Sequence, residues 1–162
     1  MDALLAVASK RDVRAYSGAP IPPEAEAWIL DAGRLSGSAR NRQPCRFVVA
    51  EGDARAAVAG TVYGAGNVLG AALVVTITAT PGGGLVDFDV GRVAQSMMLA
   101  GWAQGIASCP NGIADPEGAT IERSLPALGF DEVAGVRVGK SIRFTVEAPD
   151  EARLLGLHRE EA

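Results

Sequence analysis

The stretch Ser38-Ala39-Arg40-Asn41-Arg42-Gln43-Pro44 runs from the end of an apolar helical segment into the apolar run Phe47-Val48-Val49-Ala50. Hydroxyl, guanidinium and amide groups are concentrated on one turn with scaffold on both sides, which is how binding loops are commonly built. An organic ring rich in carbonyls and ring nitrogens suits that set of donors.

Outward from this turn, the pattern alternates helix and strand. Pro22-Pro23 followed by Glu24, Glu26, Trp28, Ile29 and Leu30 predicts a helix with proline in its first turn. Residues 45–51 read as a strand, Asp53 as the cap of a short helix through Val58, and Gly60, Gly64 and Gly66 as breakers before a Val/Thr-rich strand over 71–78. Pro81-Gly82-Gly83-Gly84 reads as a loop. The clearest helix is expected from Asp89 to Gln104, where Val93, Met97, Leu99, Ala100 and Ala103 make a surface broad enough for burial on more than one side, as at the centre of a dimer. A short helix over 3–8 precedes these elements. A turn-rich link over 105–112, a helix over 117–125, strands over 133–138 and 142–146 around Gly139, and a short helix near 150–155 follow them. With no long linker and no repeat, residues 1–162 are expected to form one α+β domain.

Composition narrows the function. A net charge of −4 argues against the broad basic surface of a nucleic-acid binder. Lys10, Arg11 and Arg14, and separately Arg34, Arg40, Arg42 and Arg46, form two local basic clusters, which suit a small anion better than a polymer. Cys45 and Cys109, with no apolar leader at the start, point to a reduced, cytoplasmic setting. The most apolar run, residues 68–79, is too short for the roughly 20 residues of a membrane span, so no membrane partner is expected. Hydrophobic residues make up 48% of the chain, high enough to place some apolar surface against a partner subunit.

Several motifs fall away on inspection. Gly139-Lys140-Ser141 resembles the end of a phosphate-binding loop, but Ala134 stands where that motif needs glycine and a strand-like run follows. The glycine run at 82–84 lacks the dinucleotide fingerprint. One histidine and two distant cysteines make a poor metal set, and there is no Gly-x-Ser-x-Gly elbow for a serine hydrolase. What remains is a set of donors without a nucleophile or general base, the pattern of a protein whose cofactor carries the chemistry.

Four ordered segments carry a family resemblance. Lys10-Arg11-Asp12-Val13-Arg14-Ala15-Tyr16 is similar to the Arg-Arg-Ser-Val-Arg-x-Tyr opening of the FMN-dependent nitroreductases, and residues 38–44 to their Ser-x-x-Asn-x-Gln-Pro-Trp loop. Asp89 through Ala100 resembles their central dimer helix, and Gly105-Ile106 with Pro110-Asn111-Gly112 their later Gly-Leu and Pro-x-Glu-Gly turn. The resemblance implies a mixed, mainly antiparallel sheet flanked by helices, an intertwined homodimer, and one FMN at each of two subunit interfaces.

By this resemblance, Lys10, Arg11 and Arg14 hold the phosphate and place positive charge beside flavin N1 and O2. Ser38, Arg40 and Asn41 reach the flavin of the partner subunit while Gln43 braces the loop. Pro110, Asn111 and Gly112 lie near the N5 edge, Asn67 is a candidate for the pyrimidine edge, and Arg159, with His158 beside it, matches a basic tail position. Each group has a plainer reading: a solvated basic turn, ordinary loop capping, a simple turn, a frayed terminus. Departures are specific. Asp12 stands where serine is usual and repels an anion unless Arg11 or Arg14 neutralises it. Lys10 replaces arginine, Cys45 replaces tryptophan, and Asn111 stands where an acidic residue is frequent.

The function implied is an NAD(P)H-dependent FMN oxidoreductase, working by ping-pong hydride transfer through flavin N5 onto a small acceptor such as a nitroaromatic, quinone or enone. No side chain is required as a catalytic acid or base. A non-catalytic FMN-binding or regulatory dimer and a cofactor-less interaction protein of the same fold are the two alternatives.

Overall fold

In the computed structural model the described residues are 2–79, 84–112, 114 and 143–147. The elements in chain order are α1 (Ala3–Ser9), α2 (Pro23–Leu35), a 3-10 turn (Ala39–Asn41), β1 (Cys45–Val49), α3 (Gly52–Ala59), α4 (Ala65–Gly70), β2 (Leu73–Ala79), α5 (Gly84–Ala103), β3 (Ala107–Asn111) and β4 (Arg143–Glu147). The strands form a sheet in the order β1-β2-β4-β3, and all three ladders are antiparallel. An isolated parallel bridge, Asp12 to Ser108, lies outside these strands.

Period-two side-chain alternation explains why helices cover both faces. Leu73, Val75 and Ile77 of β2 pack with Ala25 and Ile29 of α2 and with Val86, Val90, Val93, Ala94, Met97 and Met98 of α5. Val74 turns the other way, joining Ala50, Val58, Ala59 and Val62 from the α3 region and Val68 of α4. Residues 73–77 are all buried, as in a strand covered on both faces.

Helix α2 approaches α5 and β1 closely because Gly33 has no side chain. A Cβ there would stand 2.9 Å from both Met97 Sδ and Phe47 Cζ. Arg55 of α3 donates through Nη1 to Ala71 O at 2.8 Å and through Nη2 to Ala72 O at 3.3 Å, tying α3 to the entrance of β2.

The α+β architecture and the mainly antiparallel sheet are as expected, and four local expectations are corrected. Residues 65–70 form α4 despite their glycines, since burial of Val68 outweighs weak propensity. Asp53 lies inside the first turn of α3, where its charge meets the helix dipole, rather than capping it. Helix α5 begins at Gly84, five residues before Asp89. Residues 107–111 are strand β3 rather than a turn, and Pro110 is tolerated there because β3 is a sheet edge that does not need every N–H. The expected strand over 142–146 is found one residue later as β4. The expected elements over 117–125, 133–138 and 150–155 lie outside the described residues.

The tight contact at Gly33 sets a test. Gly33→Val should lower stability by roughly 1–3 kcal/mol through overpacking, read as a lower urea midpoint. An unchanged midpoint would contradict the close approach of α2 to α5 and β1.

Candidate functional site

The basic segment 10–14 is fixed by the ends it connects. Asp2 caps α1, its Oδ1 accepting from Leu4 N at 2.9 Å and Leu5 N at 3.3 Å. At the other end of α1, Ser9 Oγ donates to Leu5 O at 2.7 Å and accepts from the indole Nε1 of buried Trp102 at 2.9 Å. The chain then lies along β3, where Asp12 bridges Ser108 and Val13 N donates to Ser108 O at 3.1 Å. Lys10, Arg11 and Arg14 are thereby brought alongside the strand that carries Pro110 and Asn111.

Charges in this segment pair in a way the sequence did not foretell. Lys10 Nζ, rather than Arg11 or Arg14, neutralises Asp12. Arg11 Nη1 donates to Ala8 O at 2.9 Å and to Lys10 O at 2.8 Å, serving the carbonyl end of α1. Arg14 is exposed. Burial raises the Cys109 thiol pKa; the Arg14 and Lys10 charges oppose that rise and the Asp12 charge adds to it. The charges of Arg14, Lys10 and Asp12 thus all act on this thiol in the middle of β3.

Asn111 is buried and Asn67, near the start of α4, is half-buried. Asn67 Nδ2 donates to Asn111 Oδ1 at 3.4 Å, which brings the two amides predicted for the ring edges into one place. A Cβ on Gly64 would stand 2.8 Å from Asn67 Nδ2, so a larger residue at 64 would push that amide aside. Gly112 follows β3 at the surface, near the Tyr63 ring. Asn111 is therefore brought together with Asn67, on the strand along which the backbone of residues 12 and 13 runs. Arg159 and His158 lie outside the described residues.

The second group sits elsewhere. Ser38, Arg40, Asn41 and Gln43 form a closed loop in which Gln43 N donates to Ser38 Oγ at 2.8 Å, Asn41 N to Ser38 O at 2.9 Å, and Gln43 Nε2 to Asn41 Oδ1 at 3.4 Å. The bracing assigned to Gln43 is thus present in the geometry. Arg40, Asn41 and Gln43 all have positive φ, at 55°, 54° and 49°. Left-handed backbone is sparsely populated by residues other than glycine and costs of order 1–3 kcal/mol each, so the surrounding contacts hold this loop in a strained shape.

Asp89 supplies the main anchor, and sequence reasoning missed it as a site residue. Its side chain is 2% exposed, and Oδ2 accepts from Ala39 N at 2.8 Å. Oδ1 has no hydrogen-bond partner among the described residues, and Arg92 Nη1 stands 3.6 Å away. A cavity of about 300 Å³ opens beside it, lined in part by Ser38, Gln43, Cys45 and Phe47. Burial, with the Asp89 charge adding to it, pushes the Cys45 thiol pKa up. Both cysteines are held as thiols, the form that is poorly nucleophilic. The available signal was an acidic residue at a position of α5 that the 3.6-residue period turns inward.

The two groups are anchored at opposite ends of one helix. The loop bonds Asp89 near the start of α5, and α1 bonds Trp102 near its end. Thirteen positions along an α-helix amount to roughly 20 Å. Within a single chain the two groups therefore belong to different places.

Comparison with known proteins fits this geometry and adds one surprise. Residues 7–80 match the family model described as the nitroreductase family. Residues 108–157 match another, described as PurS, phosphoribosylformylglycinamidine synthase. The chain is 50% identical over 40 residues to the phosphoribosylformylglycinamidine synthase subunit PurS of Synechocystis sp., covering 25% of this chain and 40% of that protein. It thus spans about two fifths of that relative's length.

Solved structures agree with the first match. A nitroreductase family protein from Clostridium novyi superposes with a TM-score of 0.78 at 14% identity, covering 94% of this chain and 88% of that one. An FMN-dependent nitroreductase from Mycobacterium smegmatis, solved with NADPH, gives 0.68 at 21% identity over 95% and 90%. The NADPH:FMN oxidoreductase from Vibrio harveyi, solved with NAD+, gives 0.74 at 18% identity over 91% and 69%. Residues 7–80 thus resemble the nitroreductase family in sequence, and the chain shares the fold of these solved structures.

Proposed function

We propose that this chain is an FMN-dependent oxidoreductase that draws electrons from NAD(P)H and delivers them to a small acceptor. The observation that carries the reading is the clamp of residues 10–14 against β3, the strand whose Asn111 accepts from Asn67, and this supports a shared site for Arg14, Asn67, Pro110 and Asn111. Structural relatives that include an FMN-dependent nitroreductase solved with NADPH and an NADPH:FMN oxidoreductase solved with NAD+ support the choice of cofactor and donor.

The residues present fit an anionic heteroaromatic group. Positive charge beside two amides is the donor set that a phosphate and a carbonyl-rich ring require. Because Lys10 is paired with Asp12 and Arg11 serves the end of α1, Arg14 carries the phosphate role. Asn67 and Asn111 hold the ring edge, and Pro110 and Gly112 shape the wall beside it. FMN bound there would supply the hydride-accepting and hydride-donating centre at N5. Neither thiol takes part, and protons come from solvent at the open face. Nitroaromatics, quinones and enones are the acceptor classes proposed.

We further propose that the working unit is an intertwined homodimer, in which Ser38, Arg40 and Asn41 of one copy complete the site of the other. The roughly 20 Å along α5 between the bonds at Asp89 and Trp102 supports this. So do the exposed side chains of Trp28 and Leu35 on α2 and of Leu85 and Phe88 on α5, an apolar set that a second copy would cover.

The alternative of a flavin-binding module without turnover gains support from Asp12, whose pairing removes one cation from the site. Anaerobic NADH or NADPH separates the two readings. Rapid bleaching of the flavin band supports an oxidoreductase, a stable yellow complex that neither nucleotide bleaches supports the module, and a protein that takes up no FMN refutes both.

Arg14→Ala should weaken FMN binding about 10- to 100-fold, the loss expected for one charge-assisted hydrogen bond, in a fluorescence-quench titration. Equal affinity would remove Arg14 from the phosphate role. Asp89→Ala should destabilise the protein by about 1–3 kcal/mol, since Ala39 N loses its acceptor, and should loosen the strained loop. Full retention of both stability and FMN affinity would show that Asp89 does not hold the loop.

A further inference from the structure

Two family patterns meet inside one sheet. The nitroreductase pattern ends at residue 80, just past β2, and the PurS pattern begins at residue 108, inside β3, and takes in β4. Strand β4 lies between them. It pairs with β3 inside its own pattern, with Asn111 opposite Arg143, Pro110 opposite Phe144 and Cys109 opposite Thr145. It also pairs with β2 across the boundary, with Leu73 opposite Val146, Val74 opposite Thr145, Val75 opposite Phe144 and Thr76 opposite Arg143. Further seams are the Asp12–Ser108 bridge and the bond from Ala114 N to Thr61 O at 2.8 Å.

We propose that the PurS-type stretch serves here as the positioning half of the ligand site, and that it folds as one cooperative unit with the nitroreductase-type part rather than as a domain of its own. Strand β4 directly backs Pro110 and Asn111, so it sets where these residues stand relative to Asn67 and to residues 10–14. Size favours integration. The aligned stretch is 40 residues, two fifths of its relative, and chains of about 40 residues seldom bury enough surface to fold unaided. A lone pair of strands is marginal in water, whereas a third strand with a covered apolar face makes it stable. Strand β2 supplies both.

The part of the inference that concerns the ligand rests on the FMN reading, and the experiment separates the two. Both tryptophans of the chain precede residue 108, Trp28 inside the nitroreductase pattern and Trp102 between the two patterns, so their fluorescence reports the part before the PurS-type stretch. Thr145→Pro in the full chain removes a ladder N–H from the middle of β4. It should lower the tryptophan-detected unfolding midpoint and weaken FMN binding at least tenfold, while Thr145→Val should leave the midpoint in place. An unmoved tryptophan transition in Thr145→Pro would overturn the proposal.

Hydrogen exchange on the unmutated chain gives a second arm that does not depend on the variant folding. Residues 73–76 and 143–147 should show equal protection with the same dependence on denaturant. Fast exchange in 143–147 beside slow exchange in 73–76 would refute integration. If the unmutated protein takes up no FMN, the cofactor reading fails, while the fluorescence and exchange results still decide whether the two parts fold together.

Discussion

The clamp on β3 is the constraint on which the rest depends. One flank of the strand is laddered to β4 and the other takes the backbone of Asp12 and Val13. Without that second contact, the basic segment after α1 would be an exposed turn whose charges face water, and its plainer reading would stand. With it, the segment that carries Arg14 is held against the strand that carries Asn111, although nearly a hundred residues separate the two in sequence. The bond between Ser9 and Trp102 fixes the same segment from the helix side.

At the far end of α5 the logic is different. A buried carboxylate is costly unless its lone pairs are used, and Asp89 uses one on Ala39 N while Arg92 approaches the other. That anchor offsets part of the cost of three left-handed residues, Arg40, Asn41 and Gln43, within one short loop. Strain held by a buried anchor gives a rigid, polar loop on a helix end, which is the preorganisation that a ligand contact needs. Helix α5 thus bonds the loop near its start and α1, which leads into the basic segment, near its end, roughly 20 Å further along.

Much of this was legible in the residues. The alternation in residues 71–78, the proline-led start of α2 and the apolar breadth of 89–104 each named an element, because burial on a defined face leaves a period in the sequence. The donor loop at 38–44 was visible for the same reason that binding loops generally are: polar groups without a local structural need. Contacts that depend on tertiary structure were not legible. Lys10 pairing with Asp12 is a local accident of side-chain reach, Asp89 is one acidic residue among nineteen aspartates and glutamates, and β3 was hidden because Pro110 and the adjacent glycines read as a turn until the sheet edge was known. The PurS-type stretch escaped for another reason. Its likeness is carried by residue identity, 50% over 40 residues, which hydrophobic periodicity does not encode.

The central claim is that one ligand site is assembled from two copies, the Arg14 end of one and the Asn41 loop of the other. Co-expression of Arg14→Ala chains with Asn41→Ala chains tests it directly. Each variant alone should bind FMN weakly, and the mixture should recover tight binding at one FMN per two-variant dimer, because such a dimer holds one intact site and one doubly altered site. A mixture that binds no better than the two variants measured separately would contradict a shared site.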